Sequence, residues 1–150
     1  HVVDRLSVTG ASGVVLFNRF YEPDIDIHNL QITSAEVFSS PADIRQSLRW
    51  VAITSSKVKK LDIAASTGVH DGSALVKQLL AGAKAVQICS AVYKNGPSIV
   101  TRMVRFLEEW MDEQKFESVD DFRGKMGYRN IPDPILYERS QFMKYFSSFE

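Results

Sequence analysis

The sequence has little that favours disulfide formation, nucleic acid or membrane binding. Cys89 is its single cysteine, which excludes an internal disulfide and a cysteine-based zinc cluster. Eighteen basic residues balance eighteen acidic ones, so no net charge favours nucleic acid or an anionic membrane. No apolar stretch approaches the roughly 18 residues that a membrane span requires, and no basic, apolar signal segment begins the chain. We therefore expect a protein of the reducing cytoplasm.

The chain does contain three short apolar runs, at residues 13–17, 61–68 and 85–91. The first is continuously apolar and β-branched, which is typical of a parallel strand covered on both faces. The other two end in small residues. At 150 residues the chain is about one domain long and can bury a sizeable core.

Helix signals follow each of these runs. Ser40 and Pro41 suit an N-cap and a first helical residue, and apolar residues then recur at 3.6-residue spacing. Asp71 starts a second helix, which Gly82 ends, and the longest helix begins near Ser98. The order is βα, βα, βα and then a helical tail, which predicts an α/β fold with parallel strands.

Two further segments have weaker signals. Between the first strand and the first helix, Ile25 and Ile27, and then Leu30 and Ile32, alternate with polar residues, which predicts a short hairpin or an excursion on top of the barrel within residues 20–40. Ser118 to Asp121 resembles a capping box ahead of a short helix.

The ends of the second and third strands have the composition of a phosphate site. A (β/α)₈ barrel commonly binds phosphate at the loops after strands 7 and 8. Small residues let the backbone approach a dianion, and N–H donors bind it without a cation. A complete barrel needs roughly 200 residues or more. The sequence therefore predicts the closing part of a barrel.

Four motifs occur in a fixed order along the chain: Asn18 after the first strand, Ser-Thr-Gly at 66–68, Gly-Ala-x-x-Val-Gln-Ile-x-Ser-Ala at 82–91, and Asp-Phe-x-Gly-Lys at 121–125. Together they resemble the C-terminal half of the dihydroorotate dehydrogenases, the flavin-dependent TIM-barrel enzymes of pyrimidine synthesis. The resemblance runs from about residue 13 to residue 125.

The resemblance implies a partial (β/α)₈ TIM barrel, namely its last three βα units with a helical C-terminal tail. Residues 1–127 would form this C-terminal half of a flavin-binding barrel. Residues 128–150 would be an aromatic-rich tail that packs on the barrel or on a partner.

The resemblance also implies FMN as the cofactor and a set of residues around it. Backbone N–H groups of the loops at 66–68 and 90–91 would bind the FMN phosphate, and the Asn18 amide would face the flavin and a pyrimidine's amide edges. The implied cofactor-binding residues are Asn18, Ser66, Thr67, Gly68, Ser90 and Ala91.

The chain departs from the family pattern at two positions. Arg19 follows the asparagine, where the family has a small hydroxyl residue, and an arginine there could bind a carboxylate or crowd the substrate. The loop at 34–37 lacks the glycine that touches flavin in the family. Cys89 is expected to be a buried strand residue, and His70 a solvated residue at a helix start.

No catalytic residue is identified. In the family the cysteine or serine base and the flavin-contacting lysine lie upstream of the matched region, so the chain alone is expected to be inactive. The preferred function is the FMN-binding C-terminal portion of a dihydroorotate dehydrogenase-like oxidoreductase, which converts dihydroorotate to orotate. The alternatives are another FMN-dependent barrel oxidoreductase whose carboxylate substrate Arg19 binds, and a non-catalytic half-barrel that binds phosphate or oligomerises.

The expected partners follow from the same architecture. A pyrimidine carboxylate would be the small-molecule substrate. A three-stranded piece of a barrel has two open sheet edges, and open edges associate unless they are covered. We therefore expect the missing N-terminal half or a second copy of the chain as a partner, and no stable monomer.

Overall fold

A computed structural model of the chain describes residues 2–19, 22–34 and 36–138. Within these ranges the strands are β1 (Gly13–Leu16), β2 (Pro23–Asp26), β3 (Gln31–Ser34), β4 (Asp62–Ala65) and β5 (Ala85–Val86). The helices are α1 (Val2–Leu6), α2 (Ile44–Lys57), α3 (Gly72–Ala81), α4 (Ser90–Asn95), α5 (Ser98–Gln114), α6 (Val119–Phe122) and α7 (Ile135–Glu138). None of the described helices is long and apolar enough to cross a membrane.

Strands β1, β4 and β5 form a parallel sheet in the order β1-β4-β5. The α/β class and the three parallel strands predicted from the sequence are confirmed. The third strand is shorter than the predicted run at 85–91. The Gln87 N–H donates to the Ala65 carbonyl at 2.8 Å, which is the last bond of this strand to the sheet. Beyond Gln87 the chain leaves the sheet and enters α4, a helix that the apolar run did not predict.

The excursion after β1 is an antiparallel hairpin of β2 and β3, as predicted. Ile25 pairs with Ile32, and both are exposed. The Asp26 carboxylate closes the turn by accepting hydrogen bonds from the backbone of His28 and from Asn29. The Asn29 side-chain bond, with the two backbone bonds, lowers the pKa of Asp26 below its usual value.

The predicted helix starts are confirmed by their caps. The Ser40 backbone N–H donates to the Asp43 carboxylate at 2.7 Å, in a capping box over a 3-10 turn that leads into α2. The Asp71 carboxylate accepts from the Ala74 N–H at 2.7 Å at the start of α3. Gly82 ends α3 with a φ of 109°, a left-handed conformation that suits glycine.

One face of the parallel sheet carries the core. Leu16, Ile63 and Ala65 are buried on this face beneath Val51 and Ala52 of α2. Helix α2 packs on β1 and β4, α3 packs on β5, and α5 crosses α3 on its outer side. The sheet and helices therefore form two layers, with a third helix outside them.

The opposite face of the sheet is largely bare within the described residues. Val15, Ala64 and Ala85 lie side by side across the three strands in register. Val15 is 44% exposed and Ala85 is exposed. Both outer strands, β1 and β5, have a free edge in the described sheet.

The aromatic residues near the C-terminus divide into two groups. Trp110, Phe116 and the fully buried Phe122 form a cluster between α5 and α6. Of the aromatic residues of the predicted tail at 128–150, Tyr128 and Tyr137 are described, and the Tyr137 hydroxyl donates to the Met126 carbonyl at 2.6 Å. The others, Phe142, Tyr145, Phe146 and Phe149, lie outside the described residues.

Candidate functional site

The carboxyl ends of β1 and β4 meet at one edge of the sheet. The Ser66 N–H donates to the Leu16 carbonyl at 2.8 Å, continuing the strand pairing by one residue. The Thr67 hydroxyl donates to the Phe17 carbonyl at 2.8 Å. These two bonds hold the Ser-Thr-Gly loop against the end of β1, beside Asn18.

The backbone of this loop is turned into the left-handed region. Thr67 has a φ of 76° and Gly68 a φ of 79°. Gly68 is buried against the first turn of α2, so glycine is required there by close packing as well as by its conformation. The Ser-Thr-Gly motif indicates only the approach of a phosphate at this glycine, and its contact with α2 has no signal in the motif.

Three polar side chains connect the third strand end to the segment before α2. The Ser39 N–H donates to the Ser90 hydroxyl oxygen at 3.0 Å. The Ser39 hydroxyl lies 3.0 Å from Nε2 of His70. His70 was expected to be solvated, but it is half-buried and contacts this buried serine. Ser39 precedes the predicted N-cap Ser40, and no sequence signal separates the roles of the two serines.

These segments enclose a cleft of about 160 Å³. Five of the six predicted cofactor-binding residues line it: Asn18, Ser66, Thr67, Gly68 and Ser90. Ala91 does not line the cleft. Its side chain is 1% exposed and packs with Ile99 and Met103, so Ala91 can reach a ligand only through its backbone.

The cleft is rich in hydroxyl groups and has no acidic residue among its described lining residues. Arg19 is the one cationic residue among them. Its guanidinium donates to the Glu36 carbonyl at 2.5 Å and lies 3.9 Å from the Glu22 carboxylate. The two departures from the family pattern, Arg19 and the loop at 34–37, therefore contact each other, and the guanidinium is already engaged by protein groups.

A second cleft of about 260 Å³ adjoins the first and shares Asn18, Arg19 and Thr67 with it. Its other wall is the start of α2, including Arg45 and Gln46. The sequence does not indicate these two polar residues as site residues, since they lie on a helix whose periodicity identifies only its apolar face.

Cys89 is exposed, and the prediction of a buried strand residue is wrong. Because β5 ends at Val86, Cys89 lies outside the strand, at the N-cap of α4, and it lines the first cleft.

No protein-family model matches the chain. The chain is 37% identical over 67 residues to dihydroorotate dehydrogenase A (fumarate) of Lactococcus lactis subsp. lactis, a match that covers 45% of this chain and 22% of that protein. It is 38% identical over 68 residues to putative dihydroorotate dehydrogenase A (fumarate) of Streptococcus agalactiae, with the same coverage of 45% and 22%. The matches thus span about a fifth of the length of these relatives.

Two solved structures share the fold. The DHODH of Eimeria tenella in complex with ferulenol aligns with a TM-score of 0.67 and 21% identity, over 82% of this chain and 33% of that one. The ligand-free type DHODH of the same organism aligns with a TM-score of 0.65 and 22% identity, over 82% and 34%.

Proposed function

From the relationship of this chain to the dihydroorotate dehydrogenases over part of its length, we propose that it is the FMN-binding C-terminal portion of an oxidoreductase of that kind. In such an enzyme dihydroorotate is oxidised to orotate. The role that we assign to this chain in such an enzyme is to bind the phosphate of FMN.

The observation that carries the proposal is the chemistry of the first cleft. Ser66 and Thr67 follow β4, Ser90 follows β5, and all three line one space of about 160 Å³. Hydroxyl and backbone N–H groups stabilise a phosphate, and an acidic lining would repel it. The described lining residues carry hydroxyl groups and backbone N–H groups, and none of them carries a carboxylate.

The bare face of the sheet supports the assignment to a barrel. Inward-facing residues of a (β/α)₈ barrel pack in layers against residues from the opposite strands. Val15, Ala64 and Ala85 form such a row across β1, β4 and β5, and the described residues leave it largely uncovered. We assign the three strands to the last three βα units of a barrel whose other strands would cover this row.

The residues present fit the phosphate end of FMN. Ser66 and Ser90 would donate to the phosphate oxygens, and the Asn18 amide, at the boundary of the two clefts, would contact the flavin side. The chemistry that FMN would supply when bound is that of a hydride acceptor. This chain's residues would anchor and orient it, while no described residue of the cleft is identified as the base that removes the substrate proton.

The proposal is tested by comparing FMN with riboflavin, which lacks the phosphate. We expect the full chain to bind FMN more tightly than riboflavin, measured by quenching of flavin fluorescence. A Ser66→Asp substitution places a negative charge in the cleft, and like charges close together cost several kcal/mol. We expect FMN binding to weaken by at least about ten-fold, with riboflavin binding unchanged.

Ser98→Asp is the matched control. It adds the same charge at the exposed start of α5, where Arg102, already bonded to the Ser98 hydroxyl, can pair with it. Equal affinity of the full chain for FMN and riboflavin, or an equal effect of the two substitutions on FMN binding, would contradict the phosphate site.

A further inference from the structure

An apolar groove of about 500 Å³ lies on the side of the molecule where α1 meets α2. Val2, Phe17, Trp50, Ile53 and Val58 contribute its apolar lining. The Trp50 ring meets the Phe17 ring edge-on, with 6.4 Å between centroids. Trp50 is 39% exposed and Val2 is 75% exposed. A groove with this much exposed aromatic and aliphatic surface is typical of a docking site.

The last described residues of the chain are fixed at the rim of this groove. Arg49 donates to the Tyr137 carbonyl at 2.5 Å and to the Glu138 carbonyl at 2.7 Å. The Glu138 carboxylate lies 3.4 Å from the ammonium of Lys57, which itself lines the groove. The Arg49 guanidinium also lies over the Trp50 ring, 5.6 Å from its centroid. The chain is therefore tied to α2 immediately before the twelve residues 139–150.

The sequence of these twelve residues matches an apolar groove. Four of them are aromatic, namely Phe142, Tyr145, Phe146 and Phe149. A chain of twelve residues can span at most about 40 Å. The groove-lining stretch of α2 from Trp50 to Lys57 covers about 10 Å, so the segment is long enough to reach along it.

We propose that residues 139–150 dock in this groove of their own chain, with phenylalanines against Trp50 and Ile53. The covalent connection favours this occupant over a second copy. A segment that starts at the rim has a high effective concentration for the groove, whereas a separate chain must lose translational freedom to bind. Docking would cover the aromatic surface of α2 and hold α1 on the domain.

The first test uses Trp50 as a reporter in a Trp110→Phe background, which leaves a single tryptophan. In the full chain, the double substitution Phe142→Ser and Phe146→Ser is expected to shift Trp50 emission to longer wavelength and to increase its quenching by acrylamide. The matched control, Ser147→Ala with Ser148→Ala, is expected to leave both unchanged. Unchanged Trp50 emission in the phenylalanine variant would overturn the proposal.

The second test identifies the occupant. A photoreactive benzoylphenylalanine in place of Phe146 preserves an aromatic side chain and forms a covalent bond with its neighbours on irradiation. A crosslink to residues 49–58 in a product of monomer mass is the expected result. A crosslink to the same residues only in a product of dimer mass would assign the groove to a second copy, and a crosslink to other parts of the chain would also overturn the proposal.

Discussion

A β-carbon placed on Gly68 would lie 2.1 Å from the backbone nitrogen of Ile44. No such separation occurs between non-bonded atoms, so the loop after β4 and the first turn of α2 fit together only because residue 68 has no side chain. This contact connects the candidate site to the core. It determines how the site can be tested.

We expect Gly68→Ala to destabilise the fold by more than about 3 kcal/mol, since it combines a backbone clash with a left-handed φ of 79°. Urea unfolding followed by circular dichroism measures the loss. The obstructing atoms are backbone atoms of Ile44 and Asp43, which cannot move aside as a flexible side chain would. Reduced FMN binding in a Gly68 variant would therefore report on folding.

Gly10→Ala separates the two contributions. Gly10 has a similar φ of 89°, but no atom lies within 4 Å of the added methyl group. Its cost should be limited to the backbone term, about 1–2 kcal/mol. If the two alanine variants unfold at the same urea concentration, the clash with Ile44 does not contribute to the stability lost in Gly68→Ala.

A second prediction concerns Gln78, which is 0% exposed on α3. Its amide nitrogen donates to the Ser47 hydroxyl at 3.2 Å, and that hydroxyl donates to the Leu16 carbonyl at 3.0 Å. The Gln78 side-chain oxygen has no hydrogen-bond partner among the described residues. A buried unpaired oxygen is costly, so the glutamine contributes mainly volume.

Gln78→Met should therefore change the free energy of unfolding by less than about 1 kcal/mol, because it keeps the volume and removes the unpaired oxygen. Gln78→Ala should cost about 2–4 kcal/mol, as large-to-small core substitutions do. Chemical denaturation of the two variants is the measurement. If the methionine variant is as unstable as the alanine variant, the hydrogen bond to Ser47, and not the side-chain volume, is the main contribution of Gln78 to the free energy of unfolding.

The sequence predicted the features of this fold that depend on local chemistry. Asp71 and Gly82 mark the ends of α3 because a carboxylate cap and a left-handed glycine act within one turn. It did not predict α4, since an apolar run is compatible with a strand or a helix. Only the tertiary structure shows that the chain leaves the sheet after Gln87.

The candidate site was predicted in the same way. Asn18, Ser66 and Ser90 follow strands, and parallel strands bring their carboxyl ends together, so their convergence follows from the strand order. Ser39 and Arg45 come from a loop and a helix. Their positions depend on how these elements pack across the strand ends, which no spacing along the chain encodes.

A third prediction concerns the pH dependence of the anchor at Glu138. The Tyr128 hydroxyl donates to the Glu138 carboxylate at 2.5 Å, and this bond is the main reason that the pKa of Tyr128 is raised above its ordinary value. A pKa raised by folding stabilises the folded state below the unfolded pKa, near 10. That stabilisation is lost as the pH rises through the higher folded pKa.

Glu138→Gln should bring the pKa of Tyr128 back toward 10. The pKa of Tyr137, which burial raises, provides the internal comparison and should remain elevated. NMR titration of ¹³C-labelled tyrosines in the full chain follows both groups. A Tyr128 pKa that does not respond to the substitution would show that the carboxylate is not its main partner.

The last prediction concerns assembly through the bare face and free edges of the parallel sheet. Val15 lies at the centre of β1 on this face, 44% exposed, and pairs across the sheet with Ala64. Exposed apolar surface beside an unpaired edge promotes association. We expect the chain to sediment as a dimer or larger species at low micromolar concentration, or as a complex with the part of the barrel that would cover this face.

Val15→Glu should shift the sedimenting species toward monomer, because a charge buried in an apolar interface without a partner is costly. Ile25→Glu is the control, since Ile25 is also exposed but lies on the β2-β3 hairpin. A wild-type chain that is monomeric and unfolds cooperatively would mean that three strands suffice for a closed core, which would exclude the partial barrel.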